Sequence, residues 1–140
     1  MTIENTLSII KPDATRRNLT GSINAKFEQA GLTIIAQKRL RLTREMAENF
    51  YGIHKNRPFF NDLVNFMISG EIVAQVLEAE NAVLYYREVM GDTNPEKAGN
   101  DTLRKLYGRN IQCNAVHGSD SEENASKEIS FFFSKLELIN

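Results

Sequence analysis

The order in which hydrophobic periodicity changes along the chain constrains its fold more than any single residue does. Thr6-Leu7-Ser8-Ile9-Ile10 alternates at its start and reads as a strand, stopped by Lys11-Pro12-Asp13. Ile23, Phe27 and Ala30 recur at helical spacing between Gly21 and Ala30, and Gly31 follows where a C-terminal cap is expected. Leu32 to Leu42 opens β-rich and carries Lys38, Arg39 and Arg41, which makes it a strand with one polar face or edge. Thr43 caps a helix that continues through Ala47, Phe50 and Tyr51. Pro58 opens another, with Phe59, Leu63, Phe66 and Met67 on one side and Gly70 at its end. Ile72 to Glu78 is a third strand, Asn81 to Met90 a helix, Ile111 to Val116 a last strand and Ser121 to Phe133 a last helix. Gly91 to Asn110 is irregular, and a loop that long in a small domain is either functional or disordered. This order predicts an α+β fold of the split βαβ, ferredoxin-like kind: a four-stranded antiparallel sheet, helices packed on one face, and a long loop before the last strand.

Size and charge narrow the function. A chain of 140 residues, 41% hydrophobic and 25% charged, suits a single domain over residues 1–140 with a real core. Its net charge of −1 supplies no global field for nucleic acid or an anionic membrane, so any anion site must come from local clustering. No apolar run approaches the ~20 residues of a membrane span. Met1-Thr2-Ile3-Glu4-Asn5 lacks the layout of a secretory leader, and the sole cysteine, Cys113, suits a reducing compartment; the expected location is the cytoplasm. With no partner cysteine nearby, Cys113 reads as a small buried thiol before a redox or metal role.

One of only two histidines lies in Asn114-Ala115-Val116-His117-Gly118-Ser119-Asp120, between a β-type run and a glycine-led turn. An ordinary imidazole pKa of about 6.5 leaves much of such a ring neutral at pH 7 and able to act as a nucleophile. The heptapeptide by itself fits a structural histidine at a strand end equally well. Glu128 follows His117 by eleven residues on the last helix, where it can hydrogen-bond one ring nitrogen and leave the other bare, or simply pair with Lys127 on the surface. Ser119 can support that pair or cap the helix. Lys11, Arg87 and Arg104 border irregular segments, and Thr93 adds a hydroxyl. Phosphate recognition needs such donors to converge, although any one of these cations is more often a solvated surface group. Tyr51, Phe59 and Phe60 flank Pro58; Phe60 and Phe66 read as core, whereas Phe59 stays open between core and stacking on a base. Glycine-rich phosphate loops, kinase signatures, paired metal-ligand spacings and nucleophile elbows are all absent from the sequence.

These stretches together resemble the nucleoside diphosphate kinases from Thr6 to about Phe133. The resemblance rests on Thr6 to Ala14, His54-Lys55-Asn56-Arg57-Pro58-Phe59-Phe60, Met90-Gly91-Asp92-Thr93-Asn94-Pro95, Thr102-Leu103-Arg104 and Asn114 to Asp120. It implies a ping-pong exchange in which His117 takes the γ-phosphate of a nucleoside triphosphate and passes it to a nucleoside diphosphate. The same likeness implies that Lys11 contacts phosphates and ribose, that Arg87, Thr93 and Arg104 hold phosphates, and that Asn114 binds sugar hydroxyls. Phe59 would stack on the base, Tyr51 would line the pocket beside Lys11, and Glu128 would orient His117 with help from Ser119. Mg²⁺ would arrive on the nucleotide, and the chain would form a homo-oligomer, a tetramer or a hexamer. Stacking without base-edge hydrogen bonds implies low base selectivity.

Three positions depart from the family pattern. Asp92 stands where alanine is usual, Asp101 where glycine is usual, and Glu71 where proline commonly follows Gly70. Carboxylates facing a phosphate site repel its ligand, and the expectation is that the loop tolerates both aspartates. Two rival readings share the fold class: a ferredoxin-like nucleic-acid-binding domain and a catalytically silent nucleotide-binding regulator. Net charge and the lack of an aromatic signature on a central strand weigh against the first, and the occupied catalytic positions against the second.

Overall fold

The computed structural model describes residues 3–139. Four strands, β1 (Ile3–Ile10), β2 (Thr33–Leu40), β3 (Ile72–Glu80) and β4 (Val116–Gly118), form one sheet in the order β2-β3-β1-β4, every neighbouring pair antiparallel. Among the described residues seven α-helices flank it: α1 (Pro12–Arg16), α2 (Thr20–Gln29), α3 (Arg44–Phe50), α4 (Phe60–Met67), α5 (Ala82–Met90), α6 (Leu103–Tyr107) and α7 (Glu122–Phe132). The α+β, ferredoxin-like plan and its antiparallel sheet are as the element order predicts.

The sheet is covered on both faces, which corrects the expectation of helices on one. Leu7 and Ile9 of β1 and Ile72, Ala74 and Val76 of β3 pack with Ala47, Val64, Met67, Ile129 and Phe132 from α3, α4 and α7. The alternate residues Ile10, Val73 and Leu77 pack with Ile23, Phe27, Tyr86, Met90 and Leu103 from α2, α5 and α6. Successive side chains of a strand point to opposite faces, so a strand buried on both sides must be apolar without alternation. Ile72-Val73-Ala74-Gln75-Val76-Leu77 is such a run, and all six residues are buried. Gln75 is its polar exception, and its amide donates to Asn24 Oδ1 (2.9 Å) and accepts from Gln37 Nε2 (2.8 Å).

Local chemistry sets the element ends. Pro12 occupies the first turn of α1, where a missing N–H costs nothing, so the strand-stopping tripeptide also starts a helix that the sequence reading lacked. Gly31, at φ +85°, closes α2. Thr43 caps α3 through Met46 N (3.1 Å), and Ser121, not Ser119, caps α7 through Asn124 N (3.1 Å). Helix α4 begins at Phe60, two residues after the proline expected to open it. The last strand also differs: β4 spans Val116–Gly118, not Ile111 to Val116. Asn110 Oδ1 accepts from Gln112 N (3.0 Å) and Cys113 N (2.8 Å), turning the backbone away from any ladder, and Ala115 at φ +76° kinks it again. The segment from Gly91 to Asn110 contains a 3₁₀ turn, Pro95–Lys97, and the five-residue α6.

Candidate active site

His117 sits in the middle of β4, directly opposite Ile9 of β1. Its carbonyl accepts a hydrogen bond from the hydroxyl of the fully buried Tyr86 (3.3 Å), which also bonds Ser8 Oγ (2.8 Å). Gly118 lets β4 lie close to α5: a Cβ there would stand 2.6 Å from Met90 Cε and 2.9 Å from Tyr86 Cε2. The backbone that carries the imidazole is therefore fixed from the sheet side and from the helix side.

The ring is fixed as well. Glu128 Oε1 of α7 lies 2.9 Å from His117 Nε2 and 2.8 Å from Ser119 Oγ. A carboxylate only accepts, so Nε2 and the serine hydroxyl both donate to it, and in the neutral ring Nδ1 is left with its lone pair. Phe50 of α3 packs edge-on against the imidazole, 5.7 Å between centroids. The His117 and Glu128 side chains are 20% and 22% exposed, enough for a substrate to reach them and too little for free solvation. Ser119 is itself tied to β1 through its amide on Leu7 O (3.3 Å) and through Leu7 N on its hydroxyl (3.4 Å).

A second group of side chains is cationic and polar. Lys11, the residue between β1 and α1, is buried and its Nζ donates to Asn114 Oδ1 (2.8 Å). Asn114 Nδ2 donates in turn to Thr93 O (3.0 Å). Arg104 of α6 is buried, and its guanidinium donates to Gly91 O (3.1 Å) and Val116 O (2.9 Å), joining the long loop to β4. Burial pushes the Lys11 ammonium down to about 8, and the nearby Arg104 charge adds to this, while Asp13 and then Cys113 oppose it. Burial likewise lowers Arg104, with the neighbouring Arg87 charge contributing. A place where a buried lysine and two guanidiniums repel one another is under-neutralised and suited to an anion. Arg87 and the Thr93 side chain are exposed.

Tyr51, at the C-terminal end of α3, is buried, and its hydroxyl has no hydrogen-bond partner. Burial raises its pKa, and the Glu128 charge adds to the effect. Arg104 Nε and Asp13 Oδ1 are the other charged-group atoms left buried and unpaired among the described residues. Hydrogen bonds link Lys11, Asn114 and Thr93 into one group and His117, Glu128 and Ser119 into another, while Arg104 is tied to the carbonyl of Val116, the residue before His117. They do not reach Phe59, which is 47% exposed beside α4 with its ring 5.4 Å from that of His54. Phe60 is buried, as the sequence reading had it.

Three contributors escaped the sequence reading. Phe50, which packs on His117, looked like one more helix-core aromatic. Asp13 served only to mark a strand end, although it carries one of the most buried carboxyls of the chain. Ala115 carries no sequence signal for a positive φ at all.

The family model described as Nucleoside diphosphate kinase matches residues 4–138. A nucleoside diphosphate kinase of Maricaulis maris is 65% identical over 139 residues, covering 99% of both chains. The solved nucleoside diphosphate kinase of Aquifex aeolicus superimposes with a TM-score of 0.96 at 45% identity, over 99% of this chain and 100% of that one. A halophilic nucleoside diphosphate kinase from Halobacterium salinarum, solved in complex with CDP, does so with a TM-score of 0.94 at 36% identity, over 99% and 93%. An imidazole fixed on β4, with the buried Arg104 bonded to the carbonyl of the residue before it, on a fold and sequence shared along the whole length with these proteins, leads to one assignment: the chain belongs to the nucleoside diphosphate kinase family and is an enzyme of nucleotide phosphate transfer.

Proposed function

We propose that the chain transfers the γ-phosphate of a nucleoside triphosphate to a nucleoside diphosphate in two half-reactions through a phosphohistidine on His117, with Nδ1 as the attacking atom. The observation that carries this reading is the 2.9 Å contact of Glu128 Oε1 with His117 Nε2, which leaves Nδ1 as the bare nitrogen. In the first half-reaction Nδ1 attacks the γ-phosphorus, the bond to the bridging oxygen breaks, and the nucleoside diphosphate leaves with that electron pair. Imidazolium character grows as the N–P bond forms, and the Glu128 carboxylate balances it. The second half-reaction reverses these events with another diphosphate. Such transfers depend on in-line positioning and on charge stabilisation, which buried cations supply.

The remaining assignments follow the family likeness. Lys11, Arg87, Thr93 and Arg104 hold the phosphates, Asn114 the sugar hydroxyls, and Tyr51 lines the pocket with its unpaired hydroxyl. Phe59 stacks on the base; its 47% exposure supports that role over core packing. Ser119 and Glu128 orient His117. Mg²⁺ would come on the nucleotide and would offset phosphate charge there, beside the cations of Lys11 and Arg104. The enzyme works in the cytoplasm as one domain over residues 1–140, and no described helix is long and apolar enough to cross a membrane. It forms a homo-oligomer, a tetramer or a hexamer; β2, at one end of the sheet order, has a strand on one side only among the described residues. Helices on both faces leave no open sheet for a nucleic-acid strand, which disfavours the binding-domain alternative.

Incubation with γ-labelled ATP tests the proposal. Acid-labile, base-stable label on the wild-type protein, absent from His117→Ala and passed promptly to added diphosphates of any base, is the expected result. Label that survives in His117→Ala overturns it.

A further inference from the structure

Asp13 lies in the first turn of α1, is 6% exposed, and spreads its two carboxyl oxygens over different tasks. Oδ2 accepts a hydrogen bond from Ala115 N (3.2 Å). Oδ1 is buried without a hydrogen-bond partner. Ala115 is no ordinary residue of the chain. Its φ is +76°, and Val116 N bonds Asn114 O across it (2.9 Å), closing a tight three-residue turn that costs an L-residue strain. The same residue's carbonyl accepts from Lys11 N (2.8 Å), so both backbone groups of Ala115 are fastened to the β1–α1 junction. The turn begins at Asn114, whose side chain meets Lys11 Nζ, and His117 immediately follows it.

We infer that Asp13 is a positioning residue for phosphate transfer: its Oδ2 holds the Ala115 turn that sets Asn114 and His117, and its charge, two residues from Lys11 in the same buried β1–α1 junction, offsets that of Lys11. A buried carboxylate with a bare oxygen is costly unless a cation stands near it. The cations that act on Asp13 are Lys11 and, from beyond the end of α1, Arg17. Burial alone pushes the Asp13 carboxyl up, and Lys11 is the largest influence pulling it back. From the other side, Lys11 faces Arg104 of α6, Asp13 of α1 and Cys113 of the loop before β4, and among these Asp13 supports its positive charge most. Asp13 reaches no substrate in this account; it acts through the turn and through Lys11.

The inference rests on His117 as the phosphorylated residue, and the test separates the two ideas. Phosphohistidine formation from γ-labelled ATP is followed in single turnovers across pH 6 to 10 for the wild type, Asp13→Asn, Asp13→Ala and Asp13→Ala with Ala115→Gly, alongside thermal melting of each. Asparagine keeps an acceptor for Ala115 N and loses the charge. It is expected to keep the neutral-pH rate within about fivefold, since one neutral hydrogen bond replaces a charged one, while the alkaline fall of the rate moves to lower pH. Alanine loses both tasks and is expected to slow labelling about 10²-fold, the scale of a small misplacement of reacting groups. Glycine adopts the positive φ without strain, so Ala115→Gly is expected to recover part of that loss in the Asp13→Ala background. Wild-type rates and an unmoved alkaline limb in both single variants overturn the inference, as does lowered melting with unchanged kinetics. Should Asp13→Ala not fold, the alkaline limb of Asp13→Asn decides. Failure of the wild type to label at His117 would instead sink the phosphohistidine reading.

Discussion

The two halves of the site are built in opposite ways. His117, Ser119 and Glu128 stand on regular structure, two on or beside β4 and one on α7, within eleven residues of one another, and they bond directly through side chains. Lys11, Thr93, Arg104 and Asn114 come from a strand end, two loops and a five-residue helix, and they are joined largely through backbone carbonyls. In the proposed reaction the reacting atom belongs to the rigid half and ligand recognition to the assembled one. The lesson is physical: an imidazole must be aimed within a few tenths of an ångström, whereas a polyanion accepts charge from several directions.

The sharpest way to break this division is His117→Ala, expected to lower phosphate exchange by at least about 10⁴-fold with nucleotide binding retained, read by steady-state assay and by equilibrium binding. Equal losses of binding and turnover would show that the halves are not separate. Next, Glu128→Gln keeps a hydrogen-bonding side chain and loses the charge that balances the imidazolium; a fall in kcat of about 10- to 100-fold with little change in KM is expected.

The assembled half is probed through pH. Lys11 is held at about 8, so its charge is lost as pH rises past that point, and kcat/KM for ATP is expected to fall there. Stability moves the other way. Because the folded value lies below the ordinary 10.5, the cost of burying the charge is present below pH 8 and is relieved between pH 8 and 10.5. Melting at pH 7 and 9.5, compared between wild type and Lys11→Met, isolates that contribution; a steeper alkaline loss of stability in the wild type than in Lys11→Met refutes it. Ser119→Ala removes one of two donors on Glu128 and is expected to cost about two- to tenfold in kcat, the range of a single hydrogen bond. The smallest effects belong to the two unusual aspartates. Asp92 accepts from Asn94 N (2.9 Å) in its own turn, and Asp101 lines a cleft with Lys26, Glu88 and Thr102; both are exposed. Asp92→Ala and Asp101→Gly are expected to change KM by less than about fivefold, since exposed charges interact weakly through water. A tenfold fall in KM in Asp92→Ala, whose charge is felt by Arg104, would show that it opposes the ligand.

Legibility in the sequence follows the same division. Strands, helices and the Asn114 to Asp120 run carry local signals, and the expected positions of β1, β3, α2 and α5 needed only small adjustments at their ends. The two-sided burial is encoded too, in the run Ile72 to Leu77 of β3, apolar but for Gln75, from which the sequence analysis takes a strand but not a second covered face. What local pattern could not carry is contact across the chain. Lys11 meets Asn114 over a separation of 103 residues and Asp13 meets Ala115 over 102, and neither pair leaves a mark on periodicity. The displacement of β4 has a nearer cause: Ile111 and Gln112 resemble strand residues, but the Asn110 side chain bonds the amides two and three residues on, and Ala115 turns the chain again.

The hydroxyl of Tyr86 on the carbonyl of His117, with β1 on one flank, has a consequence for turnover. In the proposed reaction, with the His117 carbonyl held and its ring restrained, arrival and departure of each phosphoryl group fall more to movement of the nucleotide than of this residue. Both half-reactions of the proposed exchange then pass through one stationary nitrogen, and the direction of net flow is left, as with any catalyst, to the relative abundance of the nucleotides supplied.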